Sequence, residues 1–106
     1  MTFEVRRAIM AGHPSLPGHF PDAPLVPGVL ILDEVLAALR VWQTDYELTA
    51  IRTVKFLHPL KPEQQFTICL SAKKSDPSEV NFCCRTDGRV IAEGQLEACC
   101  RTKVTS

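Results

Sequence analysis

The spacing of apolar residues changes character along this chain. Residues 2–10 (TFEVRRAIM) are rich in β-formers and predict a first strand. The stretch 12–27 holds five prolines and two glycines, a composition that excludes regular structure and makes a stiff loop. From Gly28 to Gln43 the residues are apolar on nearly every side: Val29, Leu30, Ile31, Leu32, Val35, Leu36, Ala37, Ala38, Leu39 and Val41. That pattern predicts a buried helix, roughly 24 Å long, whose start is marked by Pro27-Gly28. After Asp45 the pattern turns to strands. Residues 47–57 predict one, His58 to Pro62 a break, residues 65–73 another, and 74–78 a turn. Residues 79–86 and 89–101 flank Asp87-Gly88, the strongest hairpin signal in the chain. The TKVTS tail is expected to fray. One helix followed by an antiparallel meander predicts an α+β fold, with the sheet wrapped around the helix.

Composition narrows the picture. The 106 residues suit one domain, taken as 1–106, with a core that is possible but marginal. Hydrophobic residues make up 45% and charged residues 23%, which places the chain among soluble globular proteins. Twelve basic and twelve acidic residues cancel, which argues against a nucleic-acid partner and an electrostatic membrane binder. Neutrality and the small core lean towards oligomerisation. Glu4, Arg6 and Arg7 stand where a signal peptide would need an apolar run. The apolar segment 28–42 carries Asp33, Glu34 and Arg40, so it is too short and too charged to span a bilayer. A cytoplasmic location is the default expectation. The five cysteines (Cys69, Cys83, Cys84, Cys99 and Cys100) are odd in number and form no CxxC. Adjacent cysteines on a strand face opposite ways, so reduced, apolar filler residues are expected rather than a metal site or a disulfide framework.

The candidate chemistry clusters between His13 and Glu34. His13 and His58 read as structural or exposed histidines. His19 is set apart by Gly18, which allows close backbone approach, and by Phe20 and Pro21, whose low polarity favours the neutral imidazole of a general base. Asp33 and Glu34 lie in an apolar helix, where an ionised carboxylate needs a partner or water. An exposed helix face would explain them equally well on their own; taken together with His19, the functional reading pulls ahead. Gly28 would present a free N–H at the positive end of a helix, a donor for a carbonyl oxygen that gains negative charge, unless Pro27-Gly28 is only a turn.

These residues resemble a known family. HFPDAPLVPGVLILD is similar to the active-site signature of the β-hydroxyacyl-ACP dehydratases of the FabZ and FabA type, whose fold is the hotdog. The pattern runs without a gap from His19 to Leu30, and Asp33 follows His19 by fourteen positions, as in that family. IRTVKFLHPLKPEQQF (51–66) and TDGRVIAEGQL (86–96) resemble two further family segments. The resemblance implies that His19 removes the C2 proton of a 3-hydroxyacyl thioester, that Asp33 protonates the departing C3 hydroxyl, and that the Gly28 N–H helps bind the thioester carbonyl. The expected site is therefore His19 and Asp33 as the catalytic pair, with Gly28, Phe20, Pro27 and Val29 binding substrate. It implies no cofactor and no metal. It also implies an acyl-ACP or acyl-CoA substrate, the acyl carrier protein as partner, and a dimer in which histidine and acid come from different subunits.

The chain departs from the family in three places. The acid is aspartate, as in FabA, where FabZ has glutamate. Glu34 replaces a usually small residue, and Glu63-Gln64 replaces a Gly-Asp. HPSLPGHFP followed by LILDEV looks closer still to small stand-alone dehydratases of aryl-polyene pigment clusters. Two other readings stay open: a hotdog thioesterase using Asp33 or Glu34 to activate water, and a non-catalytic acyl-carrier-binding subunit. Arg52, Lys55, Lys73, Lys74, Arg85 and Arg89 could meet an acidic carrier, although a solvated strand surface explains each of them.

Overall fold

The computed structural model describes residues 2–10, 25–73, 75–76 and 78–100. The elements follow one another as β1 (Thr2–Arg7), α1 (Gly28–Trp42), β2 (Tyr46–Phe56), β3 (Phe66–Ala72), β4 (Glu79–Thr86) and β5 (Arg89–Cys100). The first strand stops three residues earlier than expected, because Ile9 turns into the core and its carbonyl accepts the Glu63 N–H at 2.6 Å.

All strand pairs are antiparallel, in the order β1-β3-β4-β5-β2. The expected meander is real only for β3, β4 and β5. The β2 strand lies at the far edge against β5, so the chain from Leu57 to Gln65 crosses the sheet to reach β3. The β4–β5 hairpin turns through Asp87 (φ 52°) and Gly88 (φ 75°), the two positive φ values that the Asp-Gly signal anticipates. Register shifts between Leu48 and Ala50, Ile51 and Thr53, and Cys84 and Arg85 bend the sheet around the helix.

The inner face of the sheet carries Phe66, Ile68, Leu70, Val80, Phe82 and Cys84, all 3% exposed or less. The helix lays Leu30, Ile31, Val35, Ala38 and Leu39 on it. It starts at Pro27 without a side-chain cap, and the Leu30 N–H closes the first turn on the Pro27 carbonyl at 3.0 Å. Its last turn carries Arg40, a cation at the negative end of the helix. Trp42 stacks on Phe3 of β1, with ring centroids 6.0 Å apart.

The helix is not buried all round, as its composition suggested. Val29 (60% exposed) and Val41 (59%) stay open, and Asp33 is exposed on the same side. One sheet covers one side of a helix; an all-round apolar helix therefore leaves a stripe for something else to cover. The apolar side chains Ile51, Phe56 and Leu57 are exposed on β2 and just after it.

Of the cysteines, Cys84 acts as an apolar core residue, fully buried. Cys69 and Cys83 oppose each other on the outer face of β3 and β4, half-buried and not joined in a disulfide, and Cys99 is exposed.

Candidate active site

The start of α1 is built to be approached. Helix geometry leaves the first N–H groups, including that of Gly28, without an intrahelical acceptor. Phe56, the last residue of β2, lays its ring over Gly28: a Cβ there would lie 2.8 Å from the ring's Cζ. Glycine at 28 thus answers a close approach, not backbone strain: a larger residue would have to push the Phe56 ring aside. A cavity of about 400 Å³ opens at this place, lined by Val26, Gly28, Val29, Phe56, Leu57 and His58 among others. Its wall is mostly apolar, and it meets the positive end of the helix, a combination that suits an apolar substrate with one carbonyl oxygen.

The β2–β3 connection fastens the chain on both sides of residues 11–24. The Glu63 N–H donates to the Ile9 carbonyl at 2.6 Å, and the Val26 N–H donates to the Leu60 carbonyl at 2.8 Å. Val26 and Leu60 are both buried, so the bond between them is shielded from water, and Ile9 is a buried acceptor for the exposed Glu63. His19 and Phe20, the expected base and one expected substrate contact, lie outside the described residues, as does His13.

Of the other expected site residues, Gly28 and Val29 line the cavity, and Pro27 immediately precedes it as the helix cap. Asp33 lies four residues beyond Val29 on the open side of α1, about one turn along the same stripe. Its neighbour Glu34 points elsewhere. The Glu34 Oε1 is 3.4 Å from the Arg7 Nε at the end of β1, and both side chains are about one-third exposed. The two adjacent acids therefore divide: one exposed, the other held against the sheet.

Sequence reasoning gave no role to His58 or Phe56. Here both line the cavity at the helix start, with His58 exposed at its rim. The available signal was the segment 51–66, which holds both residues and resembles a family segment. Among the described residues no group of three or more His, Cys, Asp or Glu is placed to hold a metal ion. No described helix is long and apolar enough to cross a membrane.

A larger hollow, about 590 Å³, opens on the outer face of the sheet among Glu4, Cys69, Cys83, Arg85, Glu93 and Gln95. It carries no helix end, unlike the cavity at Gly28.

Comparison with known proteins gives the fold and the family. FabZ of Helicobacter pylori, named a 3-hydroxyacyl-[acyl-carrier-protein] dehydratase, is 33% identical over 97 residues, covering 76% of this chain and 61% of the relative. The aligned part thus spans about three-fifths of that protein's length. The dehydratase heterocomplex ApeI:P from Xenorhabdus doucetiae superposes with a TM-score of 0.78 at 22% identity, over 92% of this chain and 87% of the other. A fluoroacetyl-CoA-specific thioesterase, FlK, superposes at 0.66 with 12% identity, over 92% and 90%. At such identities the likeness establishes the fold, a hotdog, which houses more than one chemistry. A family model described as ApeI-like, ApeI dehydratase, matches residues 1–95, nine-tenths of the sequence, and on that match the chain belongs to the ApeI-like dehydratase family.

Proposed function

We propose that this protein is a 3-hydroxyacyl-[acyl-carrier-protein] dehydratase that works as a homodimer without a cofactor. The observation that carries the reading lies at the start of α1: Gly28 and Val29 line an apolar cavity, and Asp33, one turn beyond Val29, is exposed on the side the sheet leaves open. The thioester carbonyl would rest on the Gly28 N–H, which stabilises the oxygen as it gains charge. His19, as neutral imidazole, takes the C2 proton. The C2 electron pair forms the C2–C3 double bond as the C3–O bond breaks, and Asp33, in its acid form, protonates the departing hydroxyl. Enoyl thioester and water leave; returning the proton from imidazolium to the carboxylate restores the site.

The exposed apolar residues support a second copy as the cover. Val29 and Val41 on α1, and Ile51 and Phe56 on β2, are large apolar side chains left 44–60% exposed, which a monomer in water would not favour. A partner there supplies the other half of the site, so that histidine and acid meet across the interface. The substrate's acyl group would come on an acyl carrier protein or on CoA, in fatty-acid or polyene synthesis, and the enzyme would act in the cytoplasm. The solved ApeI:P assembly contains two kinds of subunit, and light scattering of this chain alone distinguishes the cases. A dimer supports the homodimer, and a monomer that pairs only with a second hotdog chain overturns it.

The testing experiment incubates the protein with 3-hydroxyacyl-CoA or 3-hydroxyacyl-ACP of several lengths and follows enoyl product. Wild type should form it, and His19→Ala and Asp33→Asn should each lose at least about a hundredfold in kcat with the fold intact. Full activity in either variant removes that residue from its role. Free thiol in place of enoyl product would support the thioesterase reading, which the FlK likeness keeps in view.

A further inference from the structure

Asp33 and Glu34 are neighbours on one helix, so about 100° of rotation separates them. Which of the two faces the substrate is decided by how α1 is turned about its own axis. Most of what holds α1 on the sheet is apolar contact through Leu30, Ile31, Val35, Ala38 and Leu39. Such packing sets which face of α1 meets the sheet, and it acts on neither carboxylate directly. The helix start adds no side-chain cap. The polar contact beside the acid is an ion pair, with the Arg7 Nε 3.4 Å from the Glu34 Oε1, and it ties that one position of the helix to the end of β1.

Arg7 holds an unusual place. It is the third inward-facing side chain of β1, after Phe3 and Val5, which pack against the core. Its Nε is shielded from water and has no hydrogen-bond partner among the described residues. A shielded guanidinium nitrogen is costly unless an opposite charge stands near it, and the Glu34 carboxylate is that charge.

We propose that Arg7 and Glu34 form a positioning pair, which keeps Glu34 out of the reaction and holds Asp33 on the open stripe. The inference rests on the dehydratase reading, in which Asp33 is the acid. The pair also joins the two elements that flank the proposed catalytic groups: α1 carries Asp33, and β1 ends at Arg7, twelve residues before His19. Glu34 is then a positioning residue, not a second acid, which accounts for an acid where the family usually has a small residue.

The test compares wild type, Glu34→Gln, Arg7→Gln, Arg7→Lys and the exchanged pair Arg7→Glu/Glu34→Arg. Each is assayed for kcat and KM on a 3-hydroxyacyl-CoA, with amide hydrogen exchange across residues 30–35 as a readout independent of turnover. The two Gln variants should lose roughly tenfold in kcat with KM within about twofold, because a displaced acid harms the transition state more than binding. Their helix amides should exchange faster. Arg7→Lys should retain most of the rate, and the exchanged pair should return kcat and exchange to within about threefold of wild type. Unchanged kcat in Glu34→Gln overturns the proposal. So does an exchanged pair as inactive as Asp33→Asn, because Glu34 would then act in the chemistry itself. A wild type that releases thiol instead of enoyl product sinks the dehydratase reading alone, and the same set of variants assayed on hydrolysis then decides the pair. A wild type that makes neither product also sinks that reading, and amide exchange decides: faster in the Gln variants and restored by the exchange supports the pair, and no change overturns it.

Discussion

The ring of Phe56 covers Gly28 so closely that a Cβ at position 28 would lie 2.8 Å from its Cζ. Phe56 is 51% exposed and its ring is the far end of a side chain, so it can swing outward at little cost. Alanine also favours a helix over glycine by about 0.5–1 kcal/mol. Gly28→Ala should therefore fold with a stability within about 1 kcal/mol of wild type. Its kcat/KM on the thioester should nevertheless fall by about tenfold or more, because the methyl group and the displaced ring crowd the N–H that receives the carbonyl. Thermal unfolding and steady-state kinetics on one preparation check both halves. Normal turnover would remove Gly28 from the site.

Gly94 gives the opposite outcome. A Cβ there would run into the backbone carbonyl of Thr53 and meet the Phe82 ring at 2.7 Å. Neither can yield cheaply: Thr53 O belongs to the neighbouring strand, and Phe82 is 3% exposed in the core. Gly94→Ala should cost roughly 3 kcal/mol, the upper end for forced overpacking, by prising β2 from β5. Urea unfolding measures it. A loss below about 1 kcal/mol would mean that the strands do not approach as described.

The contrast shows where the sequence was legible. The helix start is local, and Pro27-Gly28 announces it. The Asp87-Gly88 hairpin was readable for the same reason: only a few residues tolerate two positive φ values in a row. Three features were not readable. The edge position of β2 depends on Tyr46 to Phe56 pairing with a strand about forty residues later, and alternation names no partner. The Arg7–Glu34 pair joins positions 27 residues apart, and nothing in either residue's neighbours signals it. The helix composition foretold apolar surroundings on every side, yet could not say that the chain's own sheet covers only one of them.

Cys69 and Cys83 provide a check on the strand register. They are direct partners in an antiparallel pair, which sets their Cα atoms about 4.5–5.5 Å apart, inside the range a disulfide spans. Burial pushes both thiols up, Cys69 further through its bond to the Glu4 carboxylate, while the Arg85 guanidinium pulls both back. The pair should thus react slowly near neutrality and faster above pH 9. Diamide, which takes up the two thiol hydrogens as the sulfurs join, should yield a Cys69–Cys83 crosslink in peptide mapping and stabilise the protein by about 3 kcal/mol. Mapping to any other pair would mean a shifted register.

Cys84 makes stability depend on alkaline pH. Burial first, and then the nearby Cys83 and Cys69, push its thiol up from the ordinary 9.0 to about 12. The folded protein keeps this proton at a pH where the unfolded chain has lost it. Below about pH 9 both states hold the proton, and the thiol's full contribution to stability is present. Between pH 9 and 12 the unfolded state binds fewer protons, so stability falls as pH rises. From pH 8 to pH 10 the loss from this one group should be about 1.4 kcal/mol. Other groups titrate there as well, so the measurement is a difference. The urea midpoint of wild type should fall more steeply over that interval than that of Cys84→Ala, which starts lower because it leaves a small cavity. Parallel pH profiles for the two proteins would show that the Cys84 thiol is not held in a dry core.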